Sequence, residues 1–170
     1  NYGKSKGISA MIPGVMAQSG MESAEMVEGI VAKIKPDVVI AIDALAAGSS
    51  KRLNSTIQLA DTGINPGSGI GNRRKGLNKE TIGVPVIAIG IPTVIHAATI
   101  VRDTMEQMLN VLSELPNIKG NAGFETLKAF DDNEKMNLIM ELMDEKLVNM
   151  FVTPKDIDES IQFMAEIVAY

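Results

Sequence analysis

Cysteine is absent from this 170-residue chain, and histidine occurs only once, at position 96. Without thiols the chain can form no disulfide, use no cysteine nucleophile and build no thiolate metal site. A single histidine also excludes zinc centres that need several imidazoles from one chain. The sequence therefore gives no sign of a metal centre or of thiol chemistry, and its carboxylates become the first candidates for reactive groups.

Tryptophan and long apolar runs are missing as well. No apolar run approaches the roughly 18 residues that a membrane span requires, so no membrane partner is predicted. The formal net charge of −5 argues against nonspecific binding to nucleic acid. A hydrophobic fraction of 45% with 22% charged residues is typical of a soluble globular protein. The length predicts one domain over residues 1–170, with a sheet-bearing core over 1–115 and C-terminal helices over 116–170.

The start of the sequence is unusual, because it has neither an initiator methionine nor a signal-peptide pattern. We expect this start to lie inside a longer protein. Part of an active site is then expected to lie outside these 170 residues.

The segment that organises the rest is a run of five apolar residues, Val38–Ile42, which leads into Asp43. Such a run without polar alternation predicts a strand buried on both faces, in the middle of a parallel sheet. Ligands and catalytic groups gather at the carboxyl ends of such strands, where Asp43 is predicted to lie. Local sequence leaves two roles open for Asp43, a chemical role and the capping of a short helix over Ala44–Ala47.

Further elements are predicted around this strand. Gly7–Ile12 is a candidate strand and Glu22–Lys35 an amphipathic helix, so that the first strand, the helix and the Asp43 strand form a right-handed crossover unit. Additional predicted elements are an edge strand over Ser55–Ala60, a strand over Val84–Gly90, a helix over Val94–Leu112, a polar linker over 117–123, and helices over Asn133–Asn149 and from Pro154 to the end.

Thr93 and His96 follow the third strand. Thr93 is predicted to cap the next helix, which places His96 at the third helical position, beside the strand end that neighbours Asp43. A protonated histidine is disfavoured at a helix N-terminus, so we interpret His96 as a neutral residue without a chemical role. The alternative is a role in the site, and Thr93 and His96 are both possible secondary site residues.

The most unusual segment runs from Asp61 to Lys75 and is rich in glycine and basic residues. It contains Gly67, Gly69 and Gly71, followed by Arg73, Arg74 and Lys75. A dinucleotide fingerprint would need a strand before it and a helix after it, and a P-loop would need Gly-Lys-Ser/Thr. Neither context is present. The segment is predicted to be a long ordered loop that either flanks a substrate cleft or contacts another subunit.

Several motifs together resemble the germination protease (spore protease) family over roughly residues 8–112. They are Pro-Gly-Val-Met at 13–16, Ile-Ala-Ile-Asp-Ala-Leu-Ala-Ala at 40–47, Asn-Ser-Thr-Ile-Gln at 54–58, the glycine-rich segment at 61–75, and Gly-Val-Pro-Val-Ile-Ala-Ile-Gly-Ile-Pro-Thr at 83–93. The sequence departs from the family pattern at His96, where aspartate is expected, and at Asn65, where histidine is usual.

The resemblance implies an endopeptidase that degrades small acid-soluble spore proteins during germination, in the cytoplasm of the spore core. It also implies a self-processed zymogen, a homo-tetramer, no cofactor and no direct contact with nucleic acid. The implied fold is α/β, with a mostly parallel central sheet and helices on both faces, resembling the hydrogenase-maturation protease (phosphorylase/hydrolase-like) fold.

The implied chemistry is that of an atypical aspartic protease with two aspartates. One is Asp43, and the other belongs to a Thr-Pro-Asp-Ala-Leu-Gly motif expected upstream of residue 1. Asp61 is a second choice for the partner carboxylate, because it follows the neighbouring strand. Two other classes remain open: a metal-dependent maturation-type protease, and an inactive scaffold fragment of a larger assembly. The isolated 170 residues are expected to be inactive.

Overall fold

The structure, a computed structural model, describes residues 7–14, 21–65 and 75–170. In these residues the chain is an α/β protein with a small, open, mixed sheet. The helices are α1 (Ser23–Ile34), α2 (Lys79–Ile82), α3 (Ala97–Ser113), α4 (Ala122–Ala129), α5 (Asp132–Leu142), α6 (Glu145–Val148) and α7 (Ile157–Ala169), with a 3₁₀ turn at Ser50–Arg52. The strands are β1 (Val39–Ala47), β2 (Gln58–Ala60), β3 (Val86–His96) and β4 (Phe151–Val152).

The sheet has the strand order β1-β3-β2, and β4 pairs with β3. The β3–β4 pair is antiparallel, with Ile95 opposite Val152 and His96 opposite Phe151. The longest strand, β3, therefore lies in the middle of the described sheet, and the prediction that the Asp43 strand is central was wrong. The prediction of an edge strand over Ser55–Ala60 was correct in type, although β2 has only three residues.

The chain divides into two compact units, residues 1–41 with 60–88 and residues 42–59 with 89–170. The single domain expected from length stays a prediction. In the first unit, the core contains Ala24 of α1, Leu77, Ile82 and Val86, with Val39 and Ala41 of β1 among the residues packed against it. The start of β1 is joined to the start of β3, because the Val39 N–H donates to the Pro85 carbonyl at 2.9 Å.

Helix α1 confirms the amphipathic helix predicted over residues 22–35. Ala24 and Val31 are buried on its inner side. Its N-cap is Glu22, whose backbone N–H donates to the Glu25 carboxylate at 3.3 Å. The helix ends at Lys35 in the left-handed conformation, and Pro36 follows and cannot continue the helical hydrogen bonds.

In the second unit, β3 continues past Val94, where a helix was predicted to begin. Residues Thr93–Ile95 are β-branched and favour an extended chain, and Thr93 and Ile95 are buried. The helix therefore begins at Ala97 with His96 as its N-cap, so the predictions that Thr93 caps the helix and that His96 is its third residue were wrong. The Ala97 N–H donates to the Met150 carbonyl at 2.9 Å, which ties the helix start to the chain before β4.

Strand β1 differs from prediction in burial and in length. Ile40 and Ile42 are each 60% exposed, whereas a strand buried on both faces was predicted. The strand also continues past Asp43 to Ala47, where a helix start had been considered. Leu45 explains the continuation, because its side chain lies over Gly90 of β3, at the position that a Cβ on residue 90 would occupy. Tertiary packing here overrides the helical preference of the Ala-Leu-Ala-Ala sequence.

Residues 7–12 form no strand, and Ile8 and Ile12 are almost fully exposed. The predicted strand–helix–strand unit therefore lacks its first strand, since a strand needs a hydrogen-bonded neighbour that the described residues do not supply. The helix predicted over 133–149 is divided into α5 and α6, and α4 lies where a linker was predicted to end.

A membrane-crossing helix would have to be long and apolar, and the described part of the chain contains none.

Candidate active site

Asp43 lies in the middle of β1, four residues before the strand ends at Ala47. Its side chain is half-buried, and its Oδ1 accepts a hydrogen bond from the Ala44 N–H at 2.9 Å. No donor reaches its second oxygen from the residues that the structure describes. The predicted position at the strand end was wrong, and no helix begins at Ala44 for Asp43 to cap. Within the described part of the chain, the carboxylate is thus held at one oxygen only.

The chain leaves β1 through a tight segment, residues 48–54, which contains the 3₁₀ turn at Ser50–Arg52. Ser49 caps this turn by accepting from the Lys51 N–H at 3.3 Å. Asn54, which has a positive φ of 50°, donates its N–H to the Pro92 carbonyl of β3 at 2.8 Å. The segment is therefore anchored to the central strand at its far end.

A second anchor comes from helix α3 through Asp103. One of its oxygens, Oδ2, accepts from both the N–H of Ser50 at 2.6 Å and the Ser50 hydroxyl at 2.8 Å. The other oxygen, Oδ1, accepts from the Arg102 guanidinium at 2.8 Å, and the same guanidinium nitrogen donates to the Gly48 carbonyl at 2.8 Å. We call Gly48, Ser50, Arg102 and Asp103 the β1-exit cluster.

The electrostatics of this cluster keep Asp103 ionised. Burial by itself raises the pKa of Asp103, but the hydrogen bonds from Ser50 and Arg102, together with the positive charge of Arg102, outweigh it and lower the pKa from 3.8 to about 2. Hydrogen bonds to the charged form of a carboxylate have this effect. A carboxylate with every oxygen engaged is suited to holding a chain segment in place, and Asp103 is therefore a structural anion.

Sequence reasoning missed the β1-exit cluster. Arg102 and Asp103 are adjacent in a helix, where neighbouring side chains do not face each other, so their shared target could not be read from spacing. The one available signal was the pair Ser49-Ser50 in the connection that follows the predicted Asp43 strand, because serine hydroxyls commonly satisfy backbone groups in turns.

Thr93 and His96 make packing contacts at the end of β3. The Thr93 carbonyl accepts from the Thr153 hydroxyl at 3.0 Å. The His96 ring meets the Phe151 ring edge to face, with centroids 5.1 Å apart and an interplanar angle of 76°. The imidazole forms no hydrogen bond within the described ranges. These contacts agree with the interpretation of His96 as a residue without a chemical role, which stays an interpretation.

A β-bridge joins the chain near the two ends of the glycine-rich segment. Ile64 and Leu77 form an antiparallel bridge, with N–H to carbonyl distances of 2.9 Å and 2.8 Å. Lys75 forms an ion pair with Glu28 of α1. The predicted loop residues Gly67, Gly69, Gly71, Arg73 and Arg74 lie outside the described residues.

Asp61 follows β2 directly and is exposed. It belongs to the first compact unit, whereas Asp43 belongs to the second. The described residues contain no group of three histidine or acidic side chains placed to hold a metal ion.

An open depression of about 430 Å³ lies beside the β1-exit cluster in the second unit, lined also by Lys51, Arg52 and Asp132. Asp43 does not line it.

Comparison with known proteins places the sequence clearly. The family model described as germination protease matches residues 3–118. The chain is 45% identical over 164 residues to the germination protease of Caldanaerobacter subterraneus, 42% over 191 to that of Bacillus velezensis, and 45% over 166 to that of Clostridium acetobutylicum. These matches cover 96%, 95% and 95% of this chain but 50%, 52% and 49% of the relatives, so the chain spans about half of their length. The extent of the family match and the identity along nearly the whole chain establish that this chain belongs to the germination protease family.

Proposed function

We propose that this chain is part of an endopeptidase that degrades small acid-soluble spore proteins during germination, with Asp43 as a catalytic carboxylate. Family membership supports a peptidase, and Asp43 lies inside the matched residues. The observation that supports Asp43 as the catalytic residue is the burial and hydrogen bonding of its carboxylate. It is half-buried in a strand and held by the Ala44 N–H, and its second oxygen accepts no hydrogen bond from the residues that the structure describes.

The proposed mechanism is water activation by two carboxylates. The ionised Asp43 accepts a proton from water, and the resulting hydroxide attacks the scissile carbonyl carbon. The partner carboxylic acid donates its proton to the carbonyl oxygen, which gives a tetrahedral intermediate with two hydroxyls. The proton held by Asp43 then passes to the amide nitrogen and the C–N bond breaks. The partner carboxylate takes the proton of one hydroxyl as the carboxyl product forms, so both aspartates return to their starting states. Two carboxylates that share one proton divide the roles of base and acid in this way.

The partner carboxylate is proposed to come from the half of the family's chain that these 170 residues do not match. Asp61 is the second choice. It is exposed and follows β2 directly, and it belongs to the first compact unit. An atypical aspartic mechanism of this kind needs no cofactor.

We further propose the finer features that the resemblance implied. They are a sheet completed as a mostly parallel one on the plan of the hydrogenase-maturation proteases, self-processing from a zymogen, assembly as a tetramer, and action in the spore core. Sedimentation of the complete protease tests the tetramer, and the loss of an N-terminal segment on activation tests the zymogen.

Substrate is proposed to bind near β2 and the glycine-rich segment. Strand β2 is at the end of the described strand order and all three of its residues are exposed, so its edge suits an extended peptide held by main-chain hydrogen bonds. Arg73 and Arg74 are proposed to face acidic substrate residues, whereas Lys75 is already paired with Glu28. Replacing all three by alanine should raise KM at low salt. Dissociation of the tetramer with unchanged KM would assign the segment to subunit assembly.

The test of the catalytic assignment is the substitution Asp43→Asn in the complete protease that contains this sequence. Removing a general base typically lowers kcat by about 10²–10⁴, and the fold should persist because asparagine has nearly the same shape. The assay follows cleavage of an unfolded small acid-soluble spore protein, with circular dichroism as the check on folding.

Two matched variants sharpen the result. Asp37→Asn changes an exposed carboxylate in the turn between α1 and β1, and it should leave kcat unchanged. Asp61→Asn should also leave kcat unchanged unless Asp61 is the partner. Full turnover by the Asp43→Asn enzyme would refute the assignment, and loss of activity on adding a chelator would favour the metal-dependent class.

A further inference from the structure

One side of the β1–β3 pair in the first compact unit is apolar and uncovered. Val38 and Ile40 are 42% and 60% exposed, and Ile87 of β3 is 42% exposed. The residues between them are covered, since Val39 and Ala41 pack against the core and Val86 and Ala88 are buried. Successive strand residues point to opposite faces, so Ile40 and Ile87 share the uncovered side. Val38 lies directly before β1 and is also exposed. We call these three residues the apolar face.

The composition of this face does not suit exposure to water. A sheet with one solvated face normally alternates apolar and polar residues, whereas continuous apolar strands occur where helices cover both faces. Helix α1 supplies one of the two layers, through Ala24 and Val27. Within the described ranges no element supplies the other layer over these three residues.

We infer that the apolar face is covered by the half of the germination protease chain that these 170 residues do not match. The relatives are about twice as long, since only 50%, 52% and 49% of their lengths are matched. Their unmatched half is large enough to contain a helical layer, and the usual cover for such strands comes from the same chain. This inference rests on family membership and on exposure, and it is independent of the catalytic role of Asp43.

The absence of cysteine makes the inference directly testable by thiol labelling. Ile40→Cys is introduced into the 170-residue chain and into the complete protease, and the rate of maleimide labelling at that position is read by peptide mass spectrometry. We expect ready labelling in the 170-residue chain and labelling at least about tenfold slower in the complete protease, because a covered thiol reacts only when its cover opens. Ile87→Cys is the second variant, in case the first fails to fold.

Lys33→Cys is the matched control, because Lys33 is exposed on α1 in the same unit. It should label at the same rate in both proteins. Equal labelling of the thiols at positions 40 and 87 in both proteins would overturn the inference. Protection that develops in the 170-residue chain itself would also overturn it, and its dependence on concentration would then identify a second copy as the cover. The labelling experiment does not measure cleavage of spore protein. Its result would therefore remain valid if the catalytic role proposed for Asp43 were refuted.

Discussion

The substitution Asp103→Asn tests the β1-exit cluster. Asparagine keeps one oxygen that can accept from Ser50, but it loses the negative charge that faces Arg102. The hydrogen bonds from the Ser50 N–H and hydroxyl, at 2.6 Å and 2.8 Å, become bonds to a neutral acceptor. We therefore expect the variant to fold with a lower free energy of unfolding.

The magnitude follows from the pKa of Asp103, which falls from 3.8 to about 2 on folding. One pKa unit corresponds to about 1.4 kcal/mol, so the charged form contributes roughly 2 kcal/mol at neutral pH. The carboxylate is 12% exposed, and nearby solvent screens part of the interaction, so we expect a loss of about 1–2 kcal/mol at pH 7.

The lowered pKa of Asp103 determines how its contribution to the free energy of unfolding changes with pH. Because the pKa of Asp103 is lowered by folding, its contribution is fully present above the unfolded value of 3.8 and is lost as the pH falls toward about 2. Urea unfolding, followed by circular dichroism at pH 7, 5, 4 and 3, measures the difference between the original chain and the variant. The difference should hold constant from pH 7 to 5 and shrink below pH 4.

Asp37→Asn is the control, because Asp37 is exposed and has no hydrogen-bond partner in the described part of the chain. It should change the free energy of unfolding by less than about 0.5 kcal/mol. A difference for Asp103→Asn that is equally large at pH 3 and pH 7 would show that the charge is not the cause. No difference at any pH would show that the cluster does not stabilise the fold.

Three glycine substitutions test the packing. Gly90→Ala should cost about 1–3 kcal/mol in urea unfolding, because the new Cβ would lie 2.2 Å from the Leu45 Cδ1; an unchanged midpoint would contradict the close packing of β1 on β3. Gly63→Ala should cost about 2 kcal/mol or more, since residue 63 has a φ of +85° and its Cβ would collide with the Leu77 carbonyl oxygen. Gly29→Ala in α1 meets no atom within 4 Å and should stabilise the chain by about 0.5–1 kcal/mol, and a loss of stability there would contradict the open surroundings.

The sequence predicted the elements whose signals are local. Helix α1 has an apolar stripe with acidic residues early and a lysine late, and the body of α3 was also found. The strand over β3 was predicted from its apolar composition, and the edge strand that contains β2 was predicted from its partial alternation of polar and apolar residues. These elements form where local preference and tertiary packing agree.

The errors lie where distant residues decide the structure. β3 continues through Thr93 to His96 because β4 pairs with it, and β4 comes from a segment more than fifty residues later in the chain. β1 continues past Asp43 because Leu45 packs over Gly90. The β1-exit cluster joins residues 48–50 to residues 102–103, and no spacing rule connects them. Candidate site residues such as Asp43 could be predicted from the sequence, but the hydrogen bonds that their side chains form could not be predicted.

The alternation of β1 also limits where the proposed partner carboxylate of Asp43 can come from. Asp43 shares its side of the strand with Val39 and Ala41, whereas Ile40 and Ile42 point the opposite way. A layer that covers the Ile40 side would therefore not place a carboxylate directly on Asp43, and the partner must approach from the other side or from a strand end. In the complete protease, Ile40→Ala should lower the free energy of unfolding by about 2–4 kcal/mol while kcat and its pH profile stay the same. Urea unfolding and the pH dependence of spore-protein cleavage measure the two effects. A shifted pH profile in this variant would show that the second carboxylate is delivered by the layer that covers the apolar face.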